Sequence, residues 1–125
     1  MPACDDGTMP YDWPPCVLFR LMCEALEKSG KIPPPTTGQL QQMMTEAGFT
    51  AVKHETFKNP SGTWPKDPTM KQAGAFTVHS ANSGYEAYGL ALLTRVLKMS
   101  EDEVIAMCRK ATDAHLDKRV HAYWP

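Results

Sequence analysis

The sequence lacks a long apolar run, and no stretch of eighteen residues is free enough of charge to cross a bilayer, so no membrane span is expected. It also lacks a surplus of either charge. Thirteen Lys and Arg are interspersed with fourteen Asp and Glu, for a net charge of −1, and no basic stripe or acidic tail stands out. That balance argues against docking on nucleic acid or on an anionic membrane. The start, Met1-Pro2-Ala3-Cys4-Asp5-Asp6, carries no apolar leader, so the four cysteines are expected as reduced thiols of a cytoplasmic protein.

The motifs of several chemistries are missing as well. No G-x-G-x-x-G or P-loop occurs, and the eight glycines are scattered as turns and helix ends. No C-x-x-C or H-x-x-x-H pairing occurs among Cys4, Cys16, Cys23, Cys108, His54, His79, His115 and His121. Zinc needs about four ligands in a tight shell, and no metal site is expected. No G-x-S-x-G is present, and His79 and Ser80, adjacent in a helical stretch, point apart. The acidic run Glu101-Asp102-Glu103 suits the first turn of a helix better than an acid–base pair, and Asp5-Asp6 is the other acidic cluster.

What is present is a chain the size of one domain, 125 residues with 42% apolar and 22% charged residues. All prolines but Pro125 lie before residue 70, which predicts a loop-rich first half. Pro14-Pro15 opens a helical pattern (Val17, Leu18, Leu21, Met22, Ala25, Leu26) that Gly30 stops, giving a helix over about 15–29. Thr36 and Gln39 form a capping box for a helix over about 37–47. Residues 49–58, with Thr50, Val52, Thr56 and Phe57, read as a strand, broken by a turn at Asn59-Pro60-Ser61-Gly62. Asp67 caps a helix with Pro68 in its first turn. A second capping box at Ser83 and Glu86 predicts a separate helix afterwards, and a third at Ser100 and Glu103 opens the last. Val120 to Pro125 reads as a strand that stops early, its alternation placing His121 and Tyr123 on one face.

Trp64-Pro65-Lys66-Asp67 is rich chemistry for a connecting loop. Trp64 could wall a ligand and Lys66 supply charge, or Trp64 could plug the core while Lys66 is solvated. Tyr85 and Tyr88 read as core or interface residues.

Three stretches carry a family likeness. They are Asp5-Asp6-Gly7-Thr8-Met9-Pro10; Glu46 to Lys53 running into Phe57-Lys58-Asn59-Pro60-Ser61-Gly62-Thr63-Trp64-Pro65-Lys66-Asp67; and Leu92 to Leu97 with Ser100 to Val104, closing on His121-Ala122-Tyr123-Trp124. Together they resemble the C-terminal part of fungal LaeA-like methyltransferases of secondary metabolism, which use S-adenosylmethionine. The resemblance implies an α/β fold: a mostly helical remnant, in one partial domain over 1–125, of a class I (Rossmann-like) methyltransferase with only one or two strands. It places Trp64, Lys66, Tyr88 and His121 on the side of a small-molecule substrate. The family's glycine-rich loop, ribose-binding acid and first five strands have no counterpart here, so no cofactor-binding residue carries over. The chain is expected not to bind S-adenosylmethionine alone and to be inactive by itself. The alternative is a non-catalytic module that binds a partner protein or a second copy through apolar faces of the first helix and the sixth family strand, and a regulatory role would allow a nuclear location.

Overall fold

The computed structural model describes residues 1–125, the Thr37 side chain excepted. Four helices and two very short strands follow one another: α1 (Pro14–Lys28), α2 (Thr37–Glu46), β1 (Asn59–Pro60), α3 (Pro68–Arg95), α4 (Glu101–Ala114) and β2 (Tyr123–Trp124). The fold is therefore mostly helical, with one small sheet, as expected.

Helices α1, α3 and α4 pack on one another. Helix α1 begins with Pro14 and Pro15, whose fixed φ suits a first turn, and brings Leu18 and Ala25 into a core completed by Leu93, Val104, Cys108 and Ala111. Each fully buried Leu or Val contributes about 1.5–3 kcal/mol. Helix α4 begins with the Ser100–Glu103 capping box, and three acids in its first turn face the positive end of the dipole. The hydroxyl of Thr112 in α4 is shared between the Cys108 carbonyl of its own helix (3.0 Å) and the carbonyl of Ala81 in α3 (3.3 Å), a small residue that lets the two helices approach.

The structure overturns the break expected at Ser83. Helix α3 runs unbroken for 28 residues, capped by Asp67 on the Met70 amide (2.8 Å). Residues on both sides of Ser83 (Ala81, Gly89 and Leu93) are buried, so continuous packing outweighs a local cap.

The strand expected over 49–58 is also absent. These residues carry no ladder and are mostly exposed. Pairing begins at Asn59, where a turn was expected, and Asn59 and Pro60 face Trp124 and Tyr123 in an antiparallel pair. A strand needs a neighbour to satisfy its backbone. Among the described residues the ladder consists of β1, β2 and, on the other side of β2, Ala3, which exchanges both backbone hydrogen bonds with Tyr123 (2.8 and 2.9 Å). Residues 49–57 lie beyond the reach of that short ladder.

Helix α1 corrects a further expectation. Its apolar face is covered by α3 and α4 and is not free for a partner. The exposed apolar surface lies elsewhere, on Leu40, Met43 and Met44 of α2 and on Phe49 and Phe57. Among the described residues, α2 packs on no other helix or strand.

Two glycines set how closely α3 approaches the β1 loop. A Cβ on Gly74 would lie 1.9 Å from the carbonyl oxygen of Gly62, and Gly62, at φ +139°, has the carbonyl of His115 on its own open side. Gly84, on the same helix, has nothing near it. Gly74→Ala should therefore cost about 1–3 kcal/mol through overpacking, whereas Gly84→Ala should gain about 0.5–1 kcal/mol by relieving the entropic cost of a helical glycine. Urea denaturation of the two variants reads both signs. Stabilisation by both would show that the α3–loop contact is looser than described.

Candidate functional site

The site is built where the chain's two ends meet the loop after β1. A cavity of about 330 Å³ is lined by Asp5, Asp6, Lys58, Pro60, Trp64, Pro65, Met70, His121 and Tyr123. Its rim is held by hydrogen bonds between distant segments. The Trp64 indole N–H donates to the carbonyl of Ala122 (2.9 Å), and the Ser61 amide donates to the same carbonyl (2.9 Å). The His121 amide donates to the Thr8 hydroxyl (2.9 Å), and that hydroxyl donates to Asp6 (2.8 Å). The Trp64 and His121 rings stack with centroids 4.9 Å apart and planes at 32°.

Two carboxylates are engaged differently. Asp6 is held well below the usual carboxylate range, chiefly by its bond to the His121 ring and then by Cys4 and Thr8. It is ionised at neutral pH. Nδ1 is the ring atom of His121 that faces Asp6, and a carboxylate only accepts, so Nδ1 donates to it. Nε2 has no partner among the described residues, and in the neutral ring, with the proton on Nδ1, it presents a lone pair. Asp5 is lowered by the Lys58 ammonium and next by the Tyr123 hydroxyl, which donates to it at 2.7 Å. Lys58 also sits over the Tyr123 ring, 4.9 Å from its centroid. These groups are solvent-exposed, so their pairing organises the rim more than it stabilises the fold.

Of the four residues singled out by sequence, Trp64 and His121 come together in the cavity wall. Lys66 is exposed and is not part of the lining, and Tyr88 is 72% exposed on α3, also outside it. His121 and Tyr123 both line the cavity, as their alternation suggested. Asp5, Asp6, Lys58 and Met70 had no assigned role. The adjacency of Asp5 and Asp6 was visible in the sequence, but their partners Lys58, Tyr123 and His121 lie more than fifty residues away.

Beneath the rim lies a second histidine. His115, 2% exposed, stands at the end of α4. Its Nδ1 is 3.2 Å from the Ser61 carbonyl, which only accepts, so Nδ1 donates; Nε2 then accepts from the Tyr85 hydroxyl at 2.7 Å. Tyr85 stacks on the ring at 5.8 Å and Trp13 meets it edge-on at 5.2 Å. Burial holds His115 neutral, pushing its pKa down, and likewise pushes the Tyr85 phenol up. All four cysteines are free, and burial raises the Cys16, Cys23 and Cys108 thiols, leaving them poor nucleophiles. Among the described residues, no group of three His, Cys, Asp or Glu converges on a metal-sized point, and no helix is long and apolar enough to cross a membrane.

Comparison with known proteins gives the chain its relatives. It is 31% identical over 118 residues to a methyltransferase, pytC, of Aspergillus terreus, covering 94% of this chain and 36% of that protein. It is 28% identical over 121 residues to a probable methyltransferase, tdiE, of Emericella nidulans, covering 97% and 38%. It is 27% identical over 123 residues to the secondary metabolism regulator LAE1 of Cochliobolus heterostrophus, covering 98% and 40%. No family model matches the chain, and no solved structure does. The chain is homologous along nearly its whole length with fungal methyltransferases and LaeA-like regulators of secondary metabolism. It spans a little over a third of the length of these relatives.

The buried histidine makes stability depend on pH. The unfolded chain takes a proton on this ring near the ordinary value of 6.5, and the folded chain only at lower pH. Between those values the unfolded state binds more protons, so stability is full above about pH 6.5 and falls as pH drops, by at most about 1.4 kcal/mol per pH unit. Urea midpoints measured between about pH 7.5 and pH 5.5 should decline in that direction. A flat or rising midpoint would contradict the neutral, buried assignment.

Proposed function

We propose that the chain forms the acceptor-side part of an S-adenosylmethionine-dependent, Rossmann-like methyltransferase, and that it does not transfer methyl groups alone. One observation carries this reading. The three stretches that resemble the family lie far apart in sequence, yet every residue lining the cavity except Met70 comes from them. A cavity of this volume, near the low end of the ~300–1,000 Å³ typical of small-molecule sites, with apolar walls and a few polar groups, suits a small acceptor.

The residues present do not fit the methyl donor. No glycine-rich loop exists, and the open sides of Gly62 and Gly74 are filled by the backbones of His115 and Gly62. Asp5 and Asp6, the acids at the cavity, are taken by Lys58 and Tyr123 and by His121 and Thr8. Neither stands free for a ribose hydroxyl. Transfer requires donor and acceptor to be held together, and this chain supplies a place for one of them.

A second reading draws on the exposed face of α2. Leu40, Met43, Met44, Phe49 and Phe57 present apolar surface without a packing partner. Since the relatives are more than twice as long, the occupant proposed for this face is the remainder of a methyltransferase chain, and the protein would then act as an interaction module.

Calorimetric titration of the folded chain with S-adenosylmethionine tests the first reading: no saturable heat is expected at millimolar cofactor. Saturable micromolar binding would overturn it. The second reading expects Met43→Glu combined with Phe57→Lys to leave the thermal midpoint nearly unchanged while reducing self-association in light scattering; a large drop in the midpoint would mean this face is packed in the isolated chain.

A further inference from the structure

We propose that the cavity between Trp64 and His121 binds a neutral, planar aromatic compound bearing a hydroxyl group, with Nε2 of His121 accepting the hydroxyl proton in a hydrogen bond. This rests on the acceptor-side reading and names the chemistry of what that side holds.

Three features select this class. The walls are apolar and flat: Trp64, Pro60, Pro65 and Met70 leave space suited to one or two rings. The polar end is a hydrogen-bond acceptor. Asp6 holds a proton on Nδ1 of His121, while Thr8 and Cys4 hold the carboxylate itself, so in the neutral ring Nε2 is the bare nitrogen, on a ring that lines the cavity and packs against Trp64. The charge at the rim disfavours anions. Asp5 and Asp6 both line the cavity as carboxylates, and the Lys58 ammonium is already committed to Asp5. A carboxylic acid or a phosphate would meet two carboxylates, with the Lys58 ammonium already bound to one of them. A neutral O–H donor meets an acceptor set for it. Asp6 is a positioning residue here: it acts on the ligand only by fixing which nitrogen of His121 is bare.

The test compares β-naphthol, neutral near pH 7.5, with its methyl ether, which keeps the rings and loses the donor. Binding to the full chain is read by NMR at the His121 and Trp64 rings. The expected result is about tenfold tighter binding of the naphthol, the size of one hydrogen bond to a positioned acceptor. His121→Phe, which keeps a ring against Trp64, should bind both compounds with equal affinity; His121→Gln serves as the second variant if the first fails to fold. Asp6→Asn should reduce the preference and show a mixture of His121 tautomers in the ring ¹⁵N shifts. If the wild-type chain binds both compounds equally, or the preference survives without His121, the hydroxyl proposal is overturned while the acceptor pocket stands. If neither binds at millimolar concentration, the pocket reading falls with it.

Discussion

The buried imidazole of His115 is the contact on which the other parts depend. A polar ring in an apolar interior is costly unless both nitrogens are bonded. Here one nitrogen donates to the Ser61 carbonyl and the other accepts from Tyr85. Those two bonds join the end of α4, the middle of α3 and the loop that follows β1. Trp13, edge-on to the ring, adds the entry of α1. The arrangement is not without cost. Trp13 Nε1 and Ser61 Oγ are buried and find no partner among the described residues, a penalty of about 1–3 kcal/mol each that the helical core must offset.

From that anchor the site follows by short steps. Fixing Ser61 fixes its amide against the Ala122 carbonyl, which also takes the Trp64 indole. Gly62 and Gly74 allow helix and loop to touch backbone to backbone. β2 is then pinned between β1 and Ala3, and the His121 and Tyr123 side chains bond Asp6 and Asp5 in the cavity wall. The cavity is thus a meeting place of chain ends held up by a helical core. Helix α2 and residues 49–57 stand apart from this unit with their apolar side chains in solvent, which is the physical basis of the partner-binding reading.

What could be read from the sequence was local. Pro14-Pro15, the Thr36–Gln39 and Ser100–Glu103 boxes and the Asp67 cap each act within one helical turn, and each helix they mark begins where expected. The false break at Ser83 obeyed the same local rule but lost to burial along the whole of α3. Residues 49–58 have the composition of a strand and lack a neighbour to pair with, and composition says nothing about neighbours. In the site, the family likeness pointed to Trp64 and His121, and the alternation in the last six residues linked His121 to Tyr123. The Asp6–His121 and Asp5–Lys58 pairs span 115 and 53 residues, and no short pattern encodes such separations. Tyr88, which read as a core or interface residue, lies exposed on α3 and not in the helical core.

This chain, on its own, preforms the cavity. Amide hydrogen exchange measures it directly. The Ala3, Ser61, His121 and Tyr123 amides and the Trp64 indole N–H should exchange slowly, together with the core of α1, α3 and α4, while the 50–57 amides exchange freely. If the ladder amides and the indole exchanged as fast as those of residues 50–57 while the helices stayed protected, the cavity would not exist in the isolated chain.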